Sequence, residues 1–349
     1  MNSQFKQMLW TVESHTGGTN TRIVVGGIGD VLGKTMMEKK IFAEKNLEWL
    51  TRALVWEPRG FSAVIAAILT PATTDKADIG VLFLDAYGVE TMSGHGAIGV
   101  VTALIETGRV KATEPITKVV LDTPVGLVEG RASVSGGEVD SVTLRNVPSF
   151  LYKSSTIDVP GIGKVKADMA FGGDTYAIVG TDDLGIDVEP QNSLKLIDLG
   201  MEIKQAAIQQ IGFVHPDNPL ITNKVWGVRI NQVPPPSKYH SKETVIGQER
   251  MITRSPCGTA VCADMAASYV RGDLKPGEET VHESILGSSF KGRIVGETKV
   301  GPYKAIVPEI TGTAYLTGYN TIVIDPRDRL GAGFLLPASC QPSGPWNQP

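Results

Sequence analysis

Met92-Ser93-Gly94-His95-Gly96-Ala97-Ile98-Gly99 and, nearly half the chain later, Ser255-Pro256-Cys257-Gly258-Thr259-Ala260-Val261-Cys262 share one layout. Each carries a hydroxyl or thiol, then a glycine, then small residues opening a helical stretch. The first follows a strand-like run and leads into a helix ending near Thr107. Such a layout puts Ser93 and Cys257 at helix N-termini, where amide N–H groups point outward without intrahelical partners. The repeat predicts an internal duplication, with one reactive turn in each of two lobes. Two facing helix ends would grip an amino-acid carboxylate, since a helix N-terminus favours an anion by about 0.3–1 kcal/mol even when exposed. The glycine after each reactive residue is expected to let a ligand approach the backbone. The same field is expected to bring the Cys257 thiol down from about 8.5 towards neutrality, making it a thiolate base or nucleophile. The bland alternative is a buried, inert cysteine. Cys262, five positions further on, is expected to pack inside.

Outward from these turns, short β-rich runs recur along the chain. They include Thr21-Arg22-Ile23-Val24-Val25, Gly80-Val81-Leu82-Phe83-Leu84, Lys118-Val119-Val120-Leu121, Trp226-Gly227-Val228-Arg229-Ile230 and Thr321-Ile322-Val323-Ile324. Four stretches read as helical: 35–54, 95–107, 194–210 and 258–271. In the first, Met37, Ile41, Leu47, Leu50 and Leu54 approximate one apolar face, with Glu38, Lys39, Lys40 and Glu44 on the rest. Gly108 and Gly272 are the expected C′ residues of the second and last. Many strands with few helices predict an α+β fold. Val233-Pro234-Pro235-Pro236-Ser237 reads as an exposed loop, and 337–349 as a loosely ordered tail.

The 349 residues carry 33 Lys+Arg against 37 Asp+Glu and are 42% hydrophobic. Two lobes of about 150 residues are the natural division of such a chain. A net charge of −4 without a basic stripe argues against nucleic acid or an anionic membrane as the partner, leaving small molecules. The apolar runs are strand-sized and the first residues carry no apolar signal core, so a cytoplasmic protein is expected. Cys257, Cys262 and Cys340 suit neither a disulfide framework nor a zinc site and are read as free thiols. His215, His240 and His282 match no metal-ligand spacing, and no metal is expected.

Ser14-His15-Thr16-Gly17-Gly18, Glu57-Pro58-Arg59-Gly60, Met92-Ser93-Gly94-His95-Gly96 and Arg254-Ser255-Pro256-Cys257-Gly258-Thr259 together resemble the proline racemase family over roughly residues 10 to 335. The resemblance implies a diaminopimelate-epimerase-like fold of two pseudo-symmetric lobes with the active site in the central cleft. The expected division is 1–180, with a C-terminal strand returning from about 325–349, and 181–324. It also implies proton exchange at Cα of a proline or hydroxyproline between two residues on opposite faces, without pyridoxal phosphate, metal or other cofactor, and allows a homodimer. The family includes proline racemases, 4-hydroxyproline 2-epimerases and trans-3-hydroxy-L-proline dehydratases. Here the pair is Ser93 and Cys257; the expected substrate-binding set is Gly94, His95, Thr253, Gly258, Thr259 and Asp174.

Several positions depart from the family pattern. Racemases and epimerases usually place cysteine at both catalytic positions, and a serine hydroxyl is a much poorer base than a thiol. Thr253 stands where the family usually holds the substrate ammonium with Asp, and Gly18-Thr19-Asn20 replaces Gly-Glu-Pro. Phe171-Gly172-Gly173-Asp174 resembles the Gly-Gly-Asn substrate loop, so Asp174 is a candidate for the missing negative charge. His95 is expected to orient the carboxylate or assist Ser93, and His15 to be structural. Glu57 and Arg59 are read either as a buried pair or as stabilising a turn.

The unequal pair permits epimerisation or one-base elimination of a β-hydroxyl, with 4-hydroxyproline 2-epimerisation ranked first. A non-catalytic binding protein on the same scaffold is the main rival. In Gly26-Gly27-Ile28-Gly29-Asp30-Val31-Leu32-Gly33 the glycine spacing is wrong for a dinucleotide fingerprint. Thr91 likewise occupies the place where a serine-hydrolase elbow needs glycine.

Overall fold

The computed structural model describes residues 6–221, 225–233 and 240–335; the Pro-rich loop at 234–237, the tail from 337 and Cys340 lie outside them. The chain opens with a hairpin, β1 (Gln7–Thr16) and β2 (Thr19–Gly26). Two helices follow, α1 (Met36–Asn46) and α2 (Glu48–Val55), then β3 (Ile65–Thr70), β4 (Ile79–Asp85) and β5 (Gly88–Glu90). Helix α3 (Gly94–Glu106) leads to β6 (Ile116–Thr123), β7 (Gly126–Ser135) and β8 (Glu138–Arg145). After β9 (Ser149–Val159) the plan repeats: hairpin β10 (Gly163–Phe171) and β11 (Thr175–Gly180), helix α4 (Ser193–Gln210), β12 (Gly227–Gln232) and β13 (His240–Ile246). Helix α5 (Gly258–Arg271), β14 (Glu279–Ser284), β15 (Ser289–Val300), β16 (Tyr303–Gly312) and β17 (Ala314–Ile324) complete it.

Pairing shows the duplication directly. Strands β2 and β3 run parallel across the α1–α2 crossover, as do β11 and β12 across α4. Strands β4 and β6 run parallel across α3, as do β13 and β14 across α5. The remaining neighbours are antiparallel, as hairpin connections dictate. The chain changes lobe twice. After β8 it crosses to lay β9 between β10 and β16, closing the second ring. After β16 it crosses back, and β17 pairs with β1 over ten register positions. The first ring is completed where β8 meets the end of β16.

Each ring encloses a helix. Residues Gly94 to Ile105 of α3 and Gly258 to Ala267 of α5 are buried without interruption. A helix without a polar face has no stable place at a surface. Helix α3 packs on β1, β2, β3, β7, β8 and β17, and α5 on β9, β10, β11, β15 and β16. Strands β9 to β11 thus serve the second lobe although they precede residue 181. The strand that returns to the first lobe is β17, ending at Ile324; the chain past residue 325 forms no strand among the described residues beyond a bridge between Phe334 and Glu57.

The stretch 35–54 is two helices. Leu47 leaves the helical region at φ −119°, ψ 19°, and its N–H closes α1 on Ala43 O. The buried face of α1 is Met36, Lys39, Lys40 and Ala43, not the Met37–Ile41 face. Lys39 is accommodated because its ammonium donates to Thr70 Oγ1 and Pro71 O, and Lys40 pairs with Glu44. The other three helices agree with the sequence reading to within a residue, and Gly108 and Gly272 adopt positive φ at the ends of α3 and α5. No helix among the described residues is long and apolar enough to cross a membrane.

Candidate active site

The two central helices point their N-termini at one another. Ser93 is the N-cap of α3, with Gly96 N–H donating to its Oγ at 3.3 Å. This is the bond for which serine is favoured at N-caps, and it leaves the hydroxyl proton free to donate. Cys257 is the N-cap of α5 but sits in the left-handed region, φ 56° and ψ 86°. For a side-chain-bearing residue that conformation costs about 1–2 kcal/mol. The matching turns are therefore not superimposable: serine enters from extended backbone, cysteine from a sharp reversal.

The glycines after the two residues also let the helix ends meet. A β-carbon on Gly94 would lie 2.8 Å from Gly258 Cα, and one on Gly258 would lie 3.1 Å from Gly94 Cα. Glycine at both places lets the helix ends touch, which brings Ser93, Gly94 and His95 together with Cys257, Gly258 and Thr259.

Two glycine turns clasp the pair crosswise. The β1–β2 turn of the first lobe reaches the segment before Cys257, where Ser255 N–H donates to Thr19 Oγ1 at 3.0 Å, and the β14–β15 turn, where Ser288 Oγ donates to Gly17 O. The β10–β11 turn of the second lobe reaches the segment before Ser93: Thr91 Oγ1 donates to Gly173 O at 2.8 Å and to Asp174 Oδ2 at 3.2 Å. Ser255 and Thr91 each stand two positions before the reactive residue. The latches are pseudo-symmetric, and they give Thr19 a definite task. Asn146 also holds the second turn, donating to Gly172 O.

Burial sets the electrostatics. The Cys257 thiol is pushed up from its ordinary range, because desolvation outweighs the Tyr176 and Thr259 hydroxyls, the Ala260 amide and the Arg229 charge, all of which pull the other way. The expectation of a near-neutral thiol from the helix field alone is corrected accordingly. Burial also brings His95 down to about 4, so it is a neutral imidazole, and its Nε2 has no hydrogen-bond partner among the described residues. Tyr176 was not singled out by sequence reasoning, since a tyrosine in a strand run reads as core. Its hydroxyl lies 3.6 Å from Cys257 Sγ and 2.6 Å from Thr259 Oγ1.

The remaining candidates fall as follows. Asp174 is buried beside Thr91, and its Oδ1 accepts from Thr175 N–H. Thr253 is buried, but its Oγ1 accepts from Val245 N–H and its own N–H donates to Val245 O, so it is tied to β13. Arg59 donates to Ala53 O and Gly331 O, and Glu57 bridges Phe334 through its backbone, which is the turn-stabilising arrangement. His15 Nδ1 accepts from Gly18 N–H inside the β1–β2 turn. Cys262 is fully buried and held up at about 12 by desolvation. Among the described residues no three His, Cys, Asp or Glu side chains gather as metal ligands would.

Two barrels, each with a central helix whose N-terminus meets that of the other, define the class to which the molecule belongs: the α+β epimerase-like folds of two lobes. A PhzF-family protein of Bacillus anthracis has the same fold, with a TM-score of 0.55 at 15% identity over 91% of this chain and 99% of that one. The particular family follows from closer relatives. Residues 11–335 match the family described as Proline racemase. The chain is 44% identical to a proline racemase of Clostridioides difficile over 334 residues, covering 95% of this chain and 99% of the relative. It is 40% identical to a 4-hydroxyproline 2-epimerase of Streptosporangium roseum over 334 residues, 95% of this chain and 99% of that one. A crystal structure of a hydroxyproline epimerase from Agrobacterium vitis with bound trans-4-hydroxy-L-proline superposes with a TM-score of 0.91 at 33% identity, covering 96% of each chain. This chain belongs to the proline racemase family and is an isomerase of the racemase and epimerase type.

Proposed function

We infer that the chain epimerises a hydroxyproline at Cα, with trans-4-hydroxy-L-proline ranked first, by proton transfer between Cys257 and Ser93. The observation that carries this reading is the contact of two helix N-termini, each capped by one of the pair. A carboxylate between them is stabilised by outward-pointing amides, and more so as charge flows into it when Cα loses its proton. Cys257, as thiolate, takes the Cα proton. Ser93 delivers a proton to the opposite face, its Oγ–H unspent by the bond from Gly96. The neutral His95 imidazole, one residue inside α3, suits a hydrogen bond to the carboxylate or to Ser93. Asp174 supplies the negative charge for the substrate ammonium that Thr253, tied to β13, does not.

A second reading, dehydration of trans-3-hydroxy-L-proline, draws support from the same asymmetry. Ser93 is engaged as an N-cap and is a weak base, whereas elimination of a β-hydroxyl needs one base only. Proton NMR in D2O with each substrate separates the readings. Deuterated cis-4-hydroxy-D-proline from the first substrate establishes the epimerase; loss of the second to pyrroline-2-carboxylate establishes the dehydratase. Neither product would refute both and leave another imino acid as substrate, or a binding protein. Cys257→Ala is expected to abolish exchange, Ser93→Ala to spare elimination, and Asp174→Asn to raise KM.

A further inference from the structure

Tyr176 has a place in this site that the family comparison does not assign. It projects from β11, is 1% exposed, and its hydroxyl stands between Cys257 Sγ at 3.6 Å and Thr259 Oγ1 at 2.6 Å. A phenol has one proton to give and lone pairs to receive. With sulfur protonated, the thiol donates to Tyr176 and Tyr176 donates to Thr259. With sulfur ionised, Thr259 donates to Tyr176 and Tyr176 donates to the thiolate. Both arrangements use the same three atoms and differ only in which way the protons point.

We propose that Tyr176 is a positioning residue whose hydroxyl reverses its hydrogen bonds as Cys257 gains and loses the substrate proton, so that a sulfur closed off from water is matched in both states. The inference rests on Cys257 as the proton-transferring group. Water normally solvates a thiolate; here Cys257 is 4% exposed, and a fixed donor takes that role without reorganising solvent. Tyr176 itself keeps its proton, because burial, Cys257 and Asp174 all hold its hydroxyl well above the ordinary phenol range. The other charged or titratable groups are Cys262 and Asp264 on α5, Arg229 on β12, Asp174 in the β10–β11 turn and His95 on the facing helix end. Arg229 is the one among them that assists the thiolate. It is fully buried on β12 and engaged by Glu243 and Asp264, so its charge is constant while the Tyr176 bond reverses.

The test measures iodoacetamide alkylation of Cys257 against pH, by peptide mass mapping on the full chain, for wild type, Tyr176→Phe and Thr259→Val. A hydrogen bond to a charged group shifts a midpoint by about one to two pH units. Tyr176→Phe is therefore expected to move the midpoint up by that much. Thr259→Val is expected to move it up by less, because the Thr259 hydroxyl, 3.9 Å from the sulfur, also favours the thiolate, while the Tyr176 proton then has sulfur as its remaining acceptor of the two. An unchanged midpoint in Tyr176→Phe, or a rise in Thr259→Val as large as that in Tyr176→Phe, as a packing defect would produce, overturns the proposal. The acid limb of kcat/KM should follow the alkylation midpoint. If alkylation shifts and the limb does not, the hydrogen-bond assignment stands and the role of Cys257 as base falls.

Discussion

Replacing Gly94 by alanine tests whether the helix ends must touch. The added carbon would lie 2.8 Å from Gly258 Cα, 3.1 Å from its carbonyl carbon and 3.2 Å from Thr259 N. Carbon atoms in contact rest at about 3.5–4.0 Å, so the ends must part by roughly 1 Å. All three obstacles are backbone atoms, and no side chain can rotate away to absorb the strain. Overpacking of this kind costs about 1–3 kcal/mol. On the proposed reading Ser93 and Cys257 flank one carbon as acid and base, and parting them by about 1 Å costs on the order of 100-fold in rate. Gly94→Ala is thus expected to lower kcat for Cα deuteration in D2O by about that factor while urea unfolding shows the modest loss. Gly29→Ala, whose β-carbon meets nothing within 4 Å, is the control and should change neither. A Gly94→Ala enzyme within threefold of wild type would refute the argument that contact at the glycines sets the catalytic geometry.

Thr91→Val removes the hydroxyl that donates to Gly173 O and Asp174, and Thr19→Val removes the acceptor of Ser255 N–H. Each leaves a buried polar group short of a partner, so each should lose about 1–3 kcal/mol in urea titrations, and no loss in either would dismiss the latches as incidental. Cys257→Gly should be more stable than Cys257→Ala by about 1 kcal/mol, since only glycine takes the left-handed backbone without strain; equal unfolding midpoints would deny that strain. His95 is held at about 4, below its unfolded value, so between those values the unfolded chain binds more protons and stability falls as pH falls. Between pH 6.5 and 5 the loss attributable to His95 is about 1.6 kcal/mol, and His95→Gln should flatten the urea-measured profile by that amount. An unaltered slope would mean that the imidazole is not desolvated.

The central helices were legible because their composition admits one environment: α3 contains no Asp, Lys or Arg before Glu106, and both helices begin at a glycine after a reactive residue. The strand runs were legible from β-branched residues, but not which strand closes which ring, because the β9–β16 and β1–β17 pairs join residues more than a hundred positions apart. Within the site, the placing of Ser93 and Cys257 at two facing helix ends was legible. The state of Cys257 was not, because the helix field can be read from a motif whereas desolvation depends on everything that packs around it. Thr19 and Thr91 looked like departures or background until the crosswise turns gave each a hydrogen bond.

The crossing strands bear on how the chain is made. The second barrel carries all its strands, β9 to β16, on one uninterrupted stretch, whereas the first waits for β17. A ribosome must add roughly 180 residues after β8 before Ile324 emerges, which at about 5–20 residues per second takes on the order of ten to forty seconds. Throughout that interval one edge of β1 lacks its partner and the apolar α3 lacks one wall, a template for pairing with other chains. Newly made protein should therefore depend on chaperones during this window, and a nick near residue 313 should release β17 and open the first barrel while leaving the second closed.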